Sequence, residues 1–140
     1  EQLRAKGVST ASVTSKARRR YGPDASHAGL ADLLDVSICA EDADAAKPDP
    51  APVLRALAGL GVSASLAVMV GDTPVDILAG MAAGTRAIGV AWGHAGEAEL
   101  LEAGAESVAS DPRRLCALVL ADSSGPATGH ELGNATGTAA

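Results

Sequence analysis

The chain has 140 residues, room for one domain and one core, and 47% of them are hydrophobic although the only aromatics are Tyr21 and Trp92. Its core must be built from Ala, Val, Leu and Ile, which suits close helix-on-sheet packing and excludes a disordered chain. The net charge of −6 repels phosphate backbones and anionic membrane surfaces, which argues against a nucleic acid or a membrane as partner.

In chain order, strands and helices alternate. Val8–Val13 reads as a strand rich in Ser and Thr. Residues 18–31 read as a helix that opens on a basic run, Lys16 with Arg18, Arg19 and Arg20, and breaks near Gly22-Pro23. The basic run fits a solvated helix face. Val36–Ala40 is a short apolar strand. Pro50–Ala58 is a marked helix: Asp49 can cap it, Pro50 suits its first position, Val53, Leu54 and Leu57 share a face, and Gly59 and Gly61 end it. Leu66–Val70 is apolar at every position, as expected for a strand buried on both faces of a parallel sheet. A helix over Val75–Ala83 stops at Gly84. A strand at Ala87–Ala91, a helix at Glu97–Ala103, a short strand at Ser107–Ala109 and a helix at Pro112–Leu120 complete the set. From Asp122 onward small polar residues dominate without a periodic apolar face, which predicts a disordered tail over 122–140 behind a core spanning 1–121.

Cys39 and Cys116 show no metal-ligand spacing and fall in apolar stretches, so they read as small core residues of a reducing, cytoplasmic compartment. No apolar run of membrane-spanning length occurs. The chain opens on Glu1 rather than Met, as a partial product would.

Alternating strands and helices predict an α/β fold with a mainly parallel sheet, in which ligands sit at the carboxyl ends of strands. Three strand ends carry candidate chemistry. After the first strand come Thr14, Ser15 and Lys16, where a hydroxyl and backbone N–H groups near a helix start suit a phosphate; ordinary helix capping is the plain alternative. Next comes Lys47, followed by Pro48, which pushes it into an extended conformation just ahead of a helix. An ammonium there could neutralise a phosphoryl oxygen and a carboxylate together. The third is Gly71-Asp72-Thr73-Pro74-Val75-Asp76 at the end of the buried strand. Two carboxylates four residues apart could face one Mg²⁺ site, or simply cap the helix. Gly80, inside that helix, would permit close packing on the sheet. His94 follows the next strand and reads as an exposed loop histidine.

In this order these segments resemble the haloacid dehalogenase superfamily, and its phosphoglycolate phosphatase-like branch in particular. The resemblance covers about Leu3 to Leu118 through VTSK (Val13–Lys16), KPDP (Lys47–Pro50), VGDTPVDILAGMAAG (Val70–Gly84), IGVAWG (Ile88–Gly93) and ELLEAGAESV (Glu99–Val108). It implies a Rossmann-like three-layer core and a Mg²⁺-dependent phosphatase of small phosphorylated metabolites that works through an aspartyl-phosphate. By the same resemblance Thr14, with Ser15 beside it, would hold the transferring phosphoryl group. Lys47 would be catalytic, stabilising the phosphoryl charge. Asp72 would ligate the metal, and Asp76 would support the metal site directly, through water or through Lys47.

The family's first motif, DxDGT, which carries the nucleophile, does not occur in the sequence. The nearest look-alike, Glu41-Asp42-Ala43-Asp44, follows the wrong strand. The cap domain inserted between the first and second motifs is also missing, and most substrate specificity with it. In the family the first-motif strand is the middle of the sheet. The expectation is therefore an incomplete core in which Val8–Val13 and Leu66–Val70 face each other unpaired until another segment or chain fills the gap. This chain alone would then be inactive. A non-catalytic module that binds phosphate and Mg²⁺ is the alternative. A nucleotide-binding module ranks last, because no GxGxxG or Walker-type loop is present.

Overall fold

The computed structural model describes residues 1–121; the tail expected over 122–140 lies outside the described residues. Its strands are β1 (Ala11–Val13), β2 (Val36–Ile38), β3 (Val68–Gly71), β4 (Arg86–Val90) and β5 (Ser107–Ala109). Its helices are α1 (Gln2–Ala5), α2 (Arg18–His27), α3 (Ala51–Leu60), α4 (Pro74–Ala82), α5 (Glu97–Glu102) and α6 (Pro112–Ala121).

Every strand pairing is parallel, as the alternation of elements requires. The strands form two separate sheets rather than one. β1 pairs with β2, setting Val13 opposite Ile38, and β3, β4 and β5 pair in that order, setting Val70 opposite Ile88 and Ile88 opposite Ser107. Among the described residues β1 and β3 share no ladder, so each keeps one open edge.

The core lies where small residues let helices approach the sheet. In one cluster Val53 and Leu57 of α3 meet Ala79 of α4 and Ala83 just beyond it, with Met69 of β3 packed against them. A second joins Ile77 of α4, Leu100 of α5 and Ala87 of β4. Gly80 has the packing role expected of it: a Cβ there would fall 2.4 Å from the Cβ of Met69. β4 is buried at Ala87, Ile88, Gly89 and Val90, on both faces.

Several boundaries differ from the expected ones. α1 was not foreseen, and β1 is shorter than Val8–Val13. α2 runs through Pro23 without a break and ends at His27. This helix is mostly exposed, so water can serve the carbonyl that Pro23 leaves without a donor. α3 continues through Gly59, whose bare Cα fits against Val36, and stops at Gly61, whose φ of 65° lies in the left-handed region. The expected burial of Leu66–Val70 holds only in part. Leu66 belongs to a short 3₁₀ turn and is 81% exposed, and Val70 is 37% exposed because β3 has a neighbour on one side only.

Candidate active site

The two open edges, β1 and β3, line one cavity of about 1090 Å³. Thr14, Ser15, Lys47, Asp72 and Asp76, the residues singled out in the sequence, all line it, and His94 joins them. Residues far apart in the chain thus converge at the carboxyl ends of β1 and β3, where a parallel sheet presents its loops.

Thr14 leaves β1 with its N–H donating to the carbonyl of Ile38 at 2.9 Å, and its Oγ1 accepts from the N–H of Lys16 at 3.1 Å. The N-cap of α2 is Ala17, without a side-chain bond, so neither Thr14 nor Ser15 caps the helix. The capping alternative weighed for these residues is therefore not what the chain does with them.

Lys47 is 11% exposed at its side chain, and its Nζ donates to the carbonyl of Val13 at 2.9 Å and to Asp76 Oδ1 at 2.7 Å. The peptide bond to Pro48 is cis. Asp76 sits in the first turn of α4, behind Thr73. The Thr73 Oγ1 accepts from the Asp76 N–H at 3.3 Å and donates to Asp76 Oδ2 at 2.8 Å. Both oxygens of Asp76 are therefore engaged. Gly71 makes room for this acid, since a Cβ there would fall 2.2 Å from the Asp76 Cβ.

Asp72 has a different surrounding. Its Oδ2 accepts from the backbone N–H of His94 at 3.1 Å and lies 2.6 Å from His94 Nδ1. These bonds, the one to the ring first, hold the Asp72 carboxyl below its ordinary value of 3.8, and the carboxylate in turn raises the His94 imidazole above 6.5. His94 is an exposed loop residue, as expected, but it is not an idle one. The roles of Thr73 and His94 were not read from the sequence. Thr73 had a signal, a hydroxyl three residues ahead of an acid at a helix start, which is close to capping-box spacing. His94 had none, because its partner lies 22 residues away.

The donor set suits a hard cation only in part. Among the described residues no group of three or more His, Cys, Asp or Glu side chains could hold a metal ion. Mg²⁺ needs only one or two carboxylates when waters and substrate oxygens complete its shell. Asp72 fits as one of these. The Glu41–Asp44 look-alike is occupied elsewhere: Asp42 accepts from the N–H of Cys39 and pairs with Arg18.

Comparisons with known proteins bear on the family and the fold. The family of haloacid dehalogenase-like hydrolases matches residues 1–90. The pyrophosphatase PpaX of Bacillus pumilus is 38% identical over 120 residues, 86% of this chain and 56% of that protein. The plasmid-encoded phosphoglycolate phosphatase of Cupriavidus necator is 35% identical over 117 residues, 84% of this chain and 51% of that one. Among solved structures, a conserved haloacid dehalogenase-like protein of unknown function from Agrobacterium tumefaciens superposes with a TM-score of 0.71 at 29% identity, covering 82% of this chain and 54% of its own. A candidate β-phosphoglucomutase from Thermotoga maritima does so with a TM-score of 0.77 at 26% identity, covering 84% of this chain and 55% of its own. The chain belongs to the haloacid dehalogenase-like hydrolases and is related to PpaX and phosphoglycolate phosphatase. It spans about half the length of the curated relatives it matches, 40–56%.

Proposed function

We propose that this chain is the phosphate- and metal-holding part of a Mg²⁺-dependent phosphatase acting on a small phosphate monoester in the cytoplasm, and that it is inactive without a strand and nucleophile supplied by a further segment. The observation that carries the reading is Lys47, held between the Val13 carbonyl and Asp76 in the cavity that Thr14 and Asp72 also line. In this reading the Thr14 hydroxyl and the amides of the turn after β1, with Ser15, hold the phosphoryl oxygens. The Lys47 ammonium neutralises their charge. Asp76, with both oxygens engaged, acts through Lys47 by fixing where the ammonium stands. Asp72 holds Mg²⁺, which when bound neutralises phosphoryl charge.

The incoming segment has a stated chemistry. Between two open parallel edges it must be a β-strand, and with Val13, Val70, Val53 and Leu57 among the cavity residues it must be apolar. Family resemblance makes it a strand ending in Asp-x-Asp-Gly-Thr. Cys39 and Cys116 are both free thiols, which supports a reducing compartment. No helix among the described residues is long and apolar enough to cross a membrane.

The test adds a peptide carrying such a strand and follows Mg²⁺-dependent hydrolysis of a phosphate monoester. Turnover that appears with the peptide and vanishes with Asp72→Asn supports the reading. Phosphate and Mn²⁺ binding without turnover, peptide or not, favours the second reading, a non-catalytic phosphate-binding module. That reading draws on the absence of DxDGT from the sequence.

A further inference from the structure

The loop after β4 reaches back over the end of β3. β3 and β4 are paired in register, Gly71 opposite Gly89, so the segments that follow them leave the sheet side by side. The turn from Trp92 to Ala95 then closes on Asp72 by three contacts. The Ala95 N–H donates to the Asp72 carbonyl at 3.0 Å, the His94 N–H donates to Asp72 Oδ2 at 3.1 Å, and His94 Nδ1 lies 2.6 Å from the same oxygen. One contact fixes the backbone and two fix a single carboxylate oxygen.

Gly93 makes the closure sterically possible. A Cβ at this position would fall 2.1 Å from the Asp72 Cβ and 2.5 Å from Oδ2. Its φ is not among the positive values found at five other glycines. The requirement is therefore one of space, not of backbone conformation. Side-chain atoms cannot approach this closely, so any larger residue must lift the turn and with it both His94 donors.

We propose that the Trp92–Ala95 turn is a clamp that sets the orientation of the Asp72 carboxylate, with Gly93 as the positioning residue on which it depends. The proposal rests on the reading of Asp72 as a metal ligand. With Oδ2 held by His94, Oδ1 would be the oxygen left to a cation. Partners that orient a ligating group commonly change metal affinity by about 10- to 100-fold. The ring of His94 is 88% exposed, so the backbone N–H is its better-fixed donor.

The experiment measures Mn²⁺ affinity of the full chain by water-proton relaxation, together with His94 amide exchange and the Asp72 carboxyl carbon shift by NMR. Gly93→Ala is expected to weaken Mn²⁺ binding by about tenfold or more, to speed His94 amide exchange and to move the Asp72 carboxyl shift. Gly96→Ala is the control, because nothing lies within 4 Å of a Cβ there, and it should leave all three readings unchanged. His94→Ala keeps the backbone donor and should give a smaller loss of affinity with a moved carboxyl shift. Wild-type Mn²⁺ affinity and wild-type His94 amide protection in Gly93→Ala would overturn the proposal. If the wild-type chain binds no Mn²⁺, the metal reading fails and the clamp is decided by the two NMR readings alone. If Gly93→Ala does not fold, the carboxyl shift of His94→Ala decides, and an unmoved shift overturns the clamp.

Discussion

The Nζ of Lys47 lies 2.7 Å from Asp76 Oδ1 with both side chains close to nine-tenths buried, joining the loop after β2 to the first turn of α4. Charges so placed are costly unless each has its partner, because burial removes the water that would otherwise solvate them. Lys47 gains a second acceptor in the Val13 carbonyl, and Asp76 gains the Thr73 hydroxyl, so the pair is well satisfied. Breaking it from one side should therefore hurt more than removing it whole. Lys47→Met is expected to lose about 3 kcal/mol in urea unfolding, and Lys47→Met with Asp76→Leu to recover much of that loss. Equal losses in the single and double variants would show that the pair does not hold the two elements together.

Gly80→Ala tests how tightly α4 sits on β3. Helix propensity alone favours Ala by about 1 kcal/mol. The new methyl, however, would fall 2.4 Å from the Met69 Cβ, an atom tied to the backbone that cannot swing away. Overpacking of this kind costs about 1–3 kcal/mol, so Tm should fall. A raised Tm would mean that α4 can lift off the sheet at little cost.

The open edges of β1 and β3 should show themselves in exchange and association. Amides of β4, paired on both sides, should be the slowest to exchange, and those of β1 the fastest among the strands. The chain should self-associate, with a broad urea transition, and Val70→Lys, at a residue that lines the cavity, should oppose association. Monomeric sedimentation with a sharp two-state urea transition would count against this.

How much of this was legible in the sequence depends on range. Local signals served well: Ser107–Ala109 is a strand with the expected bounds, and Gly84 ends the helix after Asp76. Thr14, Lys47, Asp72 and Asp76 line one cavity, as their places after strands led one to expect, because strand ends in parallel pairing share one side. What failed depended on the neighbours. Pro23 reads as a breaker but sits in an exposed helix that tolerates it, and Leu66 reads as core but is exposed in the turn ahead of β3. The bond between His94 and Asp72 joins two loops through the pairing of β3 with β4, and no periodicity in the chain records it.

The His94–Asp72 contact predicts a pH dependence of stability. The His94 value is raised above 6.5 in the fold, so its contribution is fully present below that pH and is lost as pH rises through the raised value. The Asp72 value is lowered below 3.8, so its contribution is present above that pH and is lost as pH falls through the lowered value. The contact should therefore stabilise most between about pH 4 and 6.5. His94→Ala should lower stability within this window and converge on wild type at higher pH. A difference that does not change with pH would show that the ring contributes by packing and not by charge.

As proposed, this chain holds the phosphate and metal groups of a phosphatase and needs a nucleophile from a further segment. Its most direct test is turnover of p-nitrophenyl phosphate with Mg²⁺ by the folded chain alone, wild type beside Asp72→Asn. No turnover is expected from either. Mg²⁺-dependent turnover by the wild type that Asp72→Asn abolishes would contradict it, because a residue within these 140 would then be attacking phosphorus.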